Sequence, residues 1–209
     1  MHENTLRKEE FIGRTGDKSF ARVSDATMSG TKKGLRRTVA LVGMMGAGKT
    51  SVGRRLAGRL GVSFRDADHE IEQAAGCSIS DIFERYGEPA FRDGERRVIA
   101  RLLSEEPHVL AVGGGAYIDP ETRARMKELA LTIWIKAPAE VLAARVSRRD
   151  NRPLLRVSDP MERIRRMLNE REPIYSQADL IISSEDGPHS QAVENVVHVL
   201  KDRGVYEDP

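Results

Sequence analysis

The octapeptide GMMGAGKT, Gly43 to Thr50, follows directly on the apolar run Thr38–Val42 and leads into a segment of helical periodicity. It satisfies G-x-x-x-x-G-K-[ST] in the strand, loop, helix order that the pattern demands. Gly43, Gly46 and Gly48 let the main chain bend until successive N–H groups face one phosphate, and the start of a helix adds positive potential at the same point. Gly46, Ala47, Gly48, Lys49, Thr50 and Ser51 are therefore the expected nucleotide-binding residues. Lys49 can reach the β- and γ-phosphates, and the Thr50 hydroxyl can ligate Mg²⁺.

The remainder of the chain is consistent with such a loop. Short apolar runs at Thr38–Val42, Val62–Arg65, Val109–Val112, Leu131–Ile135 and Leu180–Ile182 alternate with amphipathic stretches. The helical stretches are Lys49–Leu60, Glu88–Ser104, Pro120–Leu129, Pro138–Val146, Pro160–Arg171 and Gln191–Lys201. This alternation predicts an α/β fold of three layers, a five-stranded parallel sheet flanked by helices. Ligands of such a sheet gather at the carboxyl ends of its strands.

Residues 1–37 show no sustained apolar periodicity and read as a disordered or flexible extension before a domain spanning 38–205. The extension has no apolar signal core, and Glu9, Glu10, Asp17 and Asp25 argue against a transit peptide. Met28 could serve as an alternative start. Lys32, Lys33, Arg36 and Arg37 read as a solvated charge run. A formal net charge of +2 gives no general reason to expect a nucleic-acid partner, and no apolar run approaches the roughly 20 residues of a membrane helix. Cys77 is the one cysteine, so there is no internal disulfide, in keeping with a reducing cytoplasm.

Which acceptor the phosphate meets depends on less distinctive features. In FRDADHEIE, Phe64 to Glu72, Asp66 and Asp68 sit two apart at a strand end, so an extended chain points both to one side. One carboxylate near the phosphate loop suits Mg²⁺, and one farther out suits proton abstraction. Spacing alone equally permits ordinary strand-end acids, or the N-cap of a helix over His69–Ala74. Arg92, beside Phe91, reads in isolation as a surface charge. Gly113, Gly114 and Gly115 end the third strand where either a close approach or a tight connection would need them.

GMMGAGKT, the D-A-D pair, S-I-S-D-I-F-x-x-x-G-E-x-x-F-R-x-x-E, V-G-G-G-A, N-R-P-L-L and R-x-P-x-Y occur in an order and spacing that resemble the shikimate kinases, from about Val39 to Asp179. The resemblance implies a nucleoside-monophosphate-kinase type of fold with a mobile lid at about 148–158. It also implies transfer of the γ-phosphoryl of ATP to the 3-hydroxyl of shikimate, a step toward chorismate and the aromatic amino acids, by a cytoplasmic monomer using Mg²⁺. Lys49 and Thr50 would serve the phosphates and the metal, Asp66 would help organise the metal, and Asp68 would bind the acceptor hydroxyl and act as base. Arg92, Arg171 and the Gly114 main chain match the positions that hold shikimate, and Arg152 matches the residue that closes over ATP. The chain departs from the pattern in SSEDGPHSQ, Ser183 to Gln191, which lacks the arginine that many members carry on the adenine side.

Overall fold

The computed structural model describes residues 34–147, 159–184 and 189–208. The lid expected at about 148–158 and residues 1–33 lie outside the described residues.

Five parallel strands form the central sheet in the order β3-β4-β2-β5-β6. They are β2 (Thr38–Val42), β3 (Phe64–Asp66), β4 (Val109–Ala111), β5 (Ala130–Lys136) and β6 (Leu180–Ser183). All five residues of β2 are buried and β4 is buried throughout, as expected of strands covered on both faces. From β2 the chain builds outward on one side through β3 and β4 and on the other through β5 and β6. The reversal falls at the carboxyl end of β2, where ligand crevices form in open parallel sheets.

Local chemistry sets most helix limits. Helix α1 (Lys49–Leu60) stops at Gly61, which takes a left-handed φ of 67°. Helix α2 (Ala67–Ala75) is capped by Asp66. Helix α3 (Ile79–Leu103) starts with a capping box between Ser78 and Asp81. Helices α4 (Pro120–Leu129) and α6 (Pro160–Tyr175) each begin with an aspartate cap, Asp119 or Asp159, followed by proline. Helices α5 (Ala139–Ser147) and α7 (His189–Asp202) complete the set, and none is long and apolar enough to cross a membrane.

Several features differ from the sequence reading, among them the end of α6, which runs four residues past the expected Arg171 to Tyr175. Helix α3 begins nine residues before the expected Glu88, and is bent at Gly87, whose φ of 77° and ψ of 172° are not helical. The Gly87-Glu88-Pro89 sequence marks a real break, with helix on both sides of it. Two short strands also lie beyond the expected bounds of 38 and 205. Strand β1 (Gly34–Leu35) pairs antiparallel with β7 (Tyr206–Glu207), joining the two ends of the described chain. Nor are Arg36 and Arg37 merely a solvated run. Arg36 binds Glu207 at 2.6 Å, and Arg37 donates to the Lys127 and Glu128 carbonyls at 2.6 and 2.7 Å, on the carbonyl end of α4.

Candidate active site

The phosphate loop leaves β2 through three glycines with positive φ, +132° at Gly43, +79° at Gly46 and +95° at Gly48. Space enforces two of them as well. A Cβ on Gly43 would lie 2.6 Å from the Ile135 carbonyl oxygen, and one on Gly46 would lie 2.9 Å from Val146. Gly48 is the N-cap of α1 and has no capping side chain. The first N–H groups of the helix therefore point into the loop, the arrangement that attracts an anion. Lys49 Nζ donates to the Gly43 and Met44 carbonyls, each at 2.9 Å, arching over that cradle. Behind it Arg145 of α5 donates to the Gly46 carbonyl at 3.5 Å and to Ser184 Oγ at 3.1 Å. This guanidinium ties the loop to the end of β6; residues 185–188, in the stretch expected on the adenine side, lie outside the described residues.

Asp66 has two partners. Its Oδ2 accepts from Thr50 Oγ1 at 2.9 Å, and its Oδ1 accepts from the Asp68 N–H at 3.2 Å as the cap of α2. The structural reading and the metal reading of Asp66 are therefore compatible. Among the described residues no cluster of three or more His, Cys, Asp or Glu stands ready to hold an ion alone. Thr50 and Asp66 instead offer hard oxygens at the mouth of a phosphate cradle, a donor set that suits Mg²⁺ completed by phosphate and water oxygens.

Across the crevice the glycine turn 113–115 is where charged side chains converge. A Cβ on Gly113 would lie 2.9 Å from both Asp68 Oδ1 and Glu95 Oε1. One on Gly115 would lie 2.6 Å from Arg92 Nη1, and one on Gly114 would lie 3.8 Å from Arg171 Nη1 and 3.3 Å from the Met45 nitrogen. The turn thus touches two carboxylates, two guanidiniums and the phosphate loop, which explains the absence of side chains better than a tight connection does.

Arg92 is held on three sides. Nη1 donates to Glu95 Oε2 at 2.7 Å, Nη2 to Glu88 Oε1 at 3.1 Å, and the guanidinium carbon lies 5.0 Å from the Phe91 ring centroid. Glu95 is only 3% exposed. Burial pushes its carboxyl above the ordinary range, Arg92 pulls against this, and the nearby Asp68 charge adds to the rise. Arg171, in the last turns of α6, donates to the Gly114 carbonyl at 3.3 Å.

Of the residues expected from the sequence, Gly46, Ala47, Gly48, Lys49, Thr50, Ser51, Asp66, Asp68, Arg92, Gly114 and Arg171 belong to elements that meet at this end of the sheet. Arg152 lies outside the described residues. His69 is exposed. The sequence reading assigned no role to Glu88, Glu95, Arg145 or Tyr175. A signal existed for the first two, since they stand four before and three after Arg92 on a helix, the spacing at which side chains meet.

Known proteins carry the same pattern. The family model described as shikimate kinase matches residues 45–201. A shikimate kinase of Caulobacter vibrioides is 57% identical over 165 residues, covering 79% of this chain and 82% of its own. One of Nitrobacter winogradskyi is 58% identical over 167 residues, covering 80% and 78%. Among solved structures, shikimate kinase from Acinetobacter baumannii in complex with shikimate superposes with a TM-score of 0.77 at 38% identity, covering 80% of this chain and 94% of that one. A phosphate loop facing a charged glycine turn, on a framework shared along most of the chain, places the protein in the shikimate kinase family.

Proposed function

We infer that this chain transfers the γ-phosphoryl group of ATP to the 3-hydroxyl of shikimate, yielding shikimate 3-phosphate and ADP. The observation that carries the reading is the division of labour between neighbouring aspartates. Asp66 is turned to Thr50 at the phosphate loop, while Asp68 is turned to the glycine turn beside Glu95.

The N–H groups of the loop hold the phosphates, with Lys49 moving from its two carbonyls onto the β- and γ-phosphate oxygens. Thr50 and Asp66 are the residues that would hold Mg²⁺, which supplies neutralisation of the phosphate charge. Arg92 and Arg171 clamp the shikimate carboxylate against the Gly114 main chain, a task suited to planar guanidiniums. Glu95, with Glu88, fixes the Arg92 fork in the orientation the clamp needs. Asp68 then accepts the proton of the attacking hydroxyl as the bond to phosphorus forms. Arg152 is assigned to the charge on the transferring group by the resemblance alone. The chain is further proposed to act as a monomer on shikimate and MgATP in the cytoplasm, with no nucleic-acid or membrane partner, as the resemblance implies.

Release of ADP, followed by a coupled assay with shikimate, gluconate and nucleoside monophosphates as acceptors, tests the reading. Turnover should require shikimate. Comparable turnover with gluconate would indicate a broader polyol kinase of the same fold. Nucleotide binding without ADP release on any acceptor would indicate a catalytically silent module.

A further inference from the structure

Tyr175, the last residue of the R-x-P-x-Y stretch, ends α6 with no exposed surface. Its ring lies beside Tyr117 and Trp134, with centroids 6.4 and 5.9 Å away. Burial pushes its hydroxyl up to about 12, so the group is a proton-bearing donor at neutral pH. This hydroxyl donates to the Gly114 carbonyl. Arg171 donates to the same oxygen from one turn earlier on the helix. Met44 of the phosphate loop is in contact with both donors, its sulfur 4.0 Å from the Tyr175 hydroxyl and 3.9 Å from Arg171 Nη1.

A carbonyl oxygen has two lone pairs, and here α6 supplies a donor to each. Three consecutive glycines have no side chains to choose among backbone conformations, so such a turn needs an external constraint to keep one shape. The peptide unit is planar and trans, so holding the Gly114 oxygen toward α6 aims the Gly115 N–H the opposite way. Arg171 alone would be a poor anchor, because a guanidinium that also grips a ligand is drawn away from the carbonyl whenever the ligand moves.

We propose that Tyr175 is a positioning residue for the phosphoryl acceptor. Its hydroxyl sets the Gly114–Gly115 peptide and keeps Arg171 in register with it, so that turn and guanidinium meet the acceptor carboxylate as one unit. Through Met44 the same hydroxyl joins the acceptor turn to the phosphate loop. The inference rests on the assignment of Gly114 and Arg171 to the acceptor site.

Tyr175→Phe in the full chain keeps the ring and removes one oxygen atom. The KM for shikimate should rise roughly five- to tenfold, the scale of one hydrogen bond, with the KM for MgATP unchanged. Combined with Arg171→Lys, the two losses should multiply to less than their product, because both donors act on one carbonyl. Placing p-aminophenylalanine at position 175 restores a donor and should recover part of the shikimate affinity, a rescue that bulk packing would not produce. Tyr117→Phe, which removes the hydroxyl of a neighbouring buried tyrosine, should leave both KM values as they are. A folded Tyr175→Phe enzyme whose shikimate KM stays within about twofold of the parent, or whose MgATP KM rises equally, overturns the inference. If Arg171→Lys still weakens shikimate in that case, the acceptor-site reading survives. If Arg171→Lys also leaves shikimate unaffected, that reading falls too.

Discussion

The two sides of the crevice are built from different materials. The proposed nucleotide side is mostly main chain, an eight-residue loop bent by its glycines into a shape suited to an anion, with its position fixed by the strand before it and the helix after it. The proposed acceptor side is mostly side chain, with Asp68, Arg92, Glu95 and Arg171 brought from three helices onto a turn that contributes no side chain of its own. A site made from main chain tolerates changes to its neighbours while its φ angles are kept. A site made from long charged side chains depends on each partner that aims them.

Asp68 should separate the sides most strongly. Asp68→Asn removes the proton acceptor and should lower turnover by roughly 10²–10⁴ while leaving ATP binding nearly intact. Asp66→Asn acts on the other side and should raise the Mg²⁺ concentration needed for activity, a defect partly relieved by excess metal. Rates for both variants across a Mg²⁺ titration, with circular dichroism as a check on folding, measure the contrast. Recovery of Asp68→Asn with metal would erase it.

A smaller gap should follow from Arg92→Lys, which keeps charge and loses the fork that Glu88 and Glu95 hold. Shikimate affinity should weaken on the order of tenfold, with MgATP affinity unchanged, as read by calorimetric titration of each ligand. Equal losses for both ligands would place Arg92 outside the acceptor side.

Glu95→Gln sharpens the dependence on aiming partners through pH. Because burial raises the Glu95 carboxyl above its unfolded value, its contribution to stability is complete at acid pH and declines as pH rises through the folded value. The stability of the parent relative to Glu95→Gln should therefore fall as pH climbs from about 4, the ordinary glutamate value, and level off above the raised one. Urea midpoints of the two proteins across that range test the sign. A difference that grows with pH would mean that Arg92 outweighs the burial.

The least effect on catalysis should come from the opposite end of the sheet. Removing residues 1–33 should leave shikimate phosphorylation and the thermal midpoint nearly unchanged. Cutting at Thr38 instead also removes β1, Arg36 and Arg37, and should lower the midpoint by roughly 3–8 °C with little change in KM. A fall in turnover from the shorter cut, with the fold intact, would make the extension part of the enzyme.

Legibility in the sequence follows the same division. The limits of β2, α1 and α4 can be read to the residue, because an apolar run, a glycine loop or an Asp-Pro cap marks each locally. The phosphate loop is contiguous, so its chemistry is visible in eight letters. The acceptor side is assembled from positions spread between Asp68 and Arg171, and spacing alone left Arg92 a plausible surface charge. Only the joint resemblance of several motifs assigned it. Tyr175 and Arg145 act by holding main-chain carbonyls, and no local pattern announces a side chain whose partner is a distant peptide oxygen. The β1–β7 ribbon escaped for a related reason, since its two dipeptides lie more than 170 residues apart and neither carries strand periodicity.

The ribbon also determines how the molecule could be attached or rewired. Gly34 and Glu207 are directly opposed, so their Cα atoms lie about 5 Å apart. Both sit at the amino ends of the sheet strands, separated from the phosphate loop by the length of β2, roughly 17 Å. A few glycines between Glu207 and Gly34 would close the polypeptide into a circle without drawing on the crevice, and a surface connection elsewhere could then be opened to supply new ends. For the same reason, a chain trimmed to begin at Gly34 and fixed to a bead through Gly34 or Glu207 would face its substrates with the phosphate loop outward.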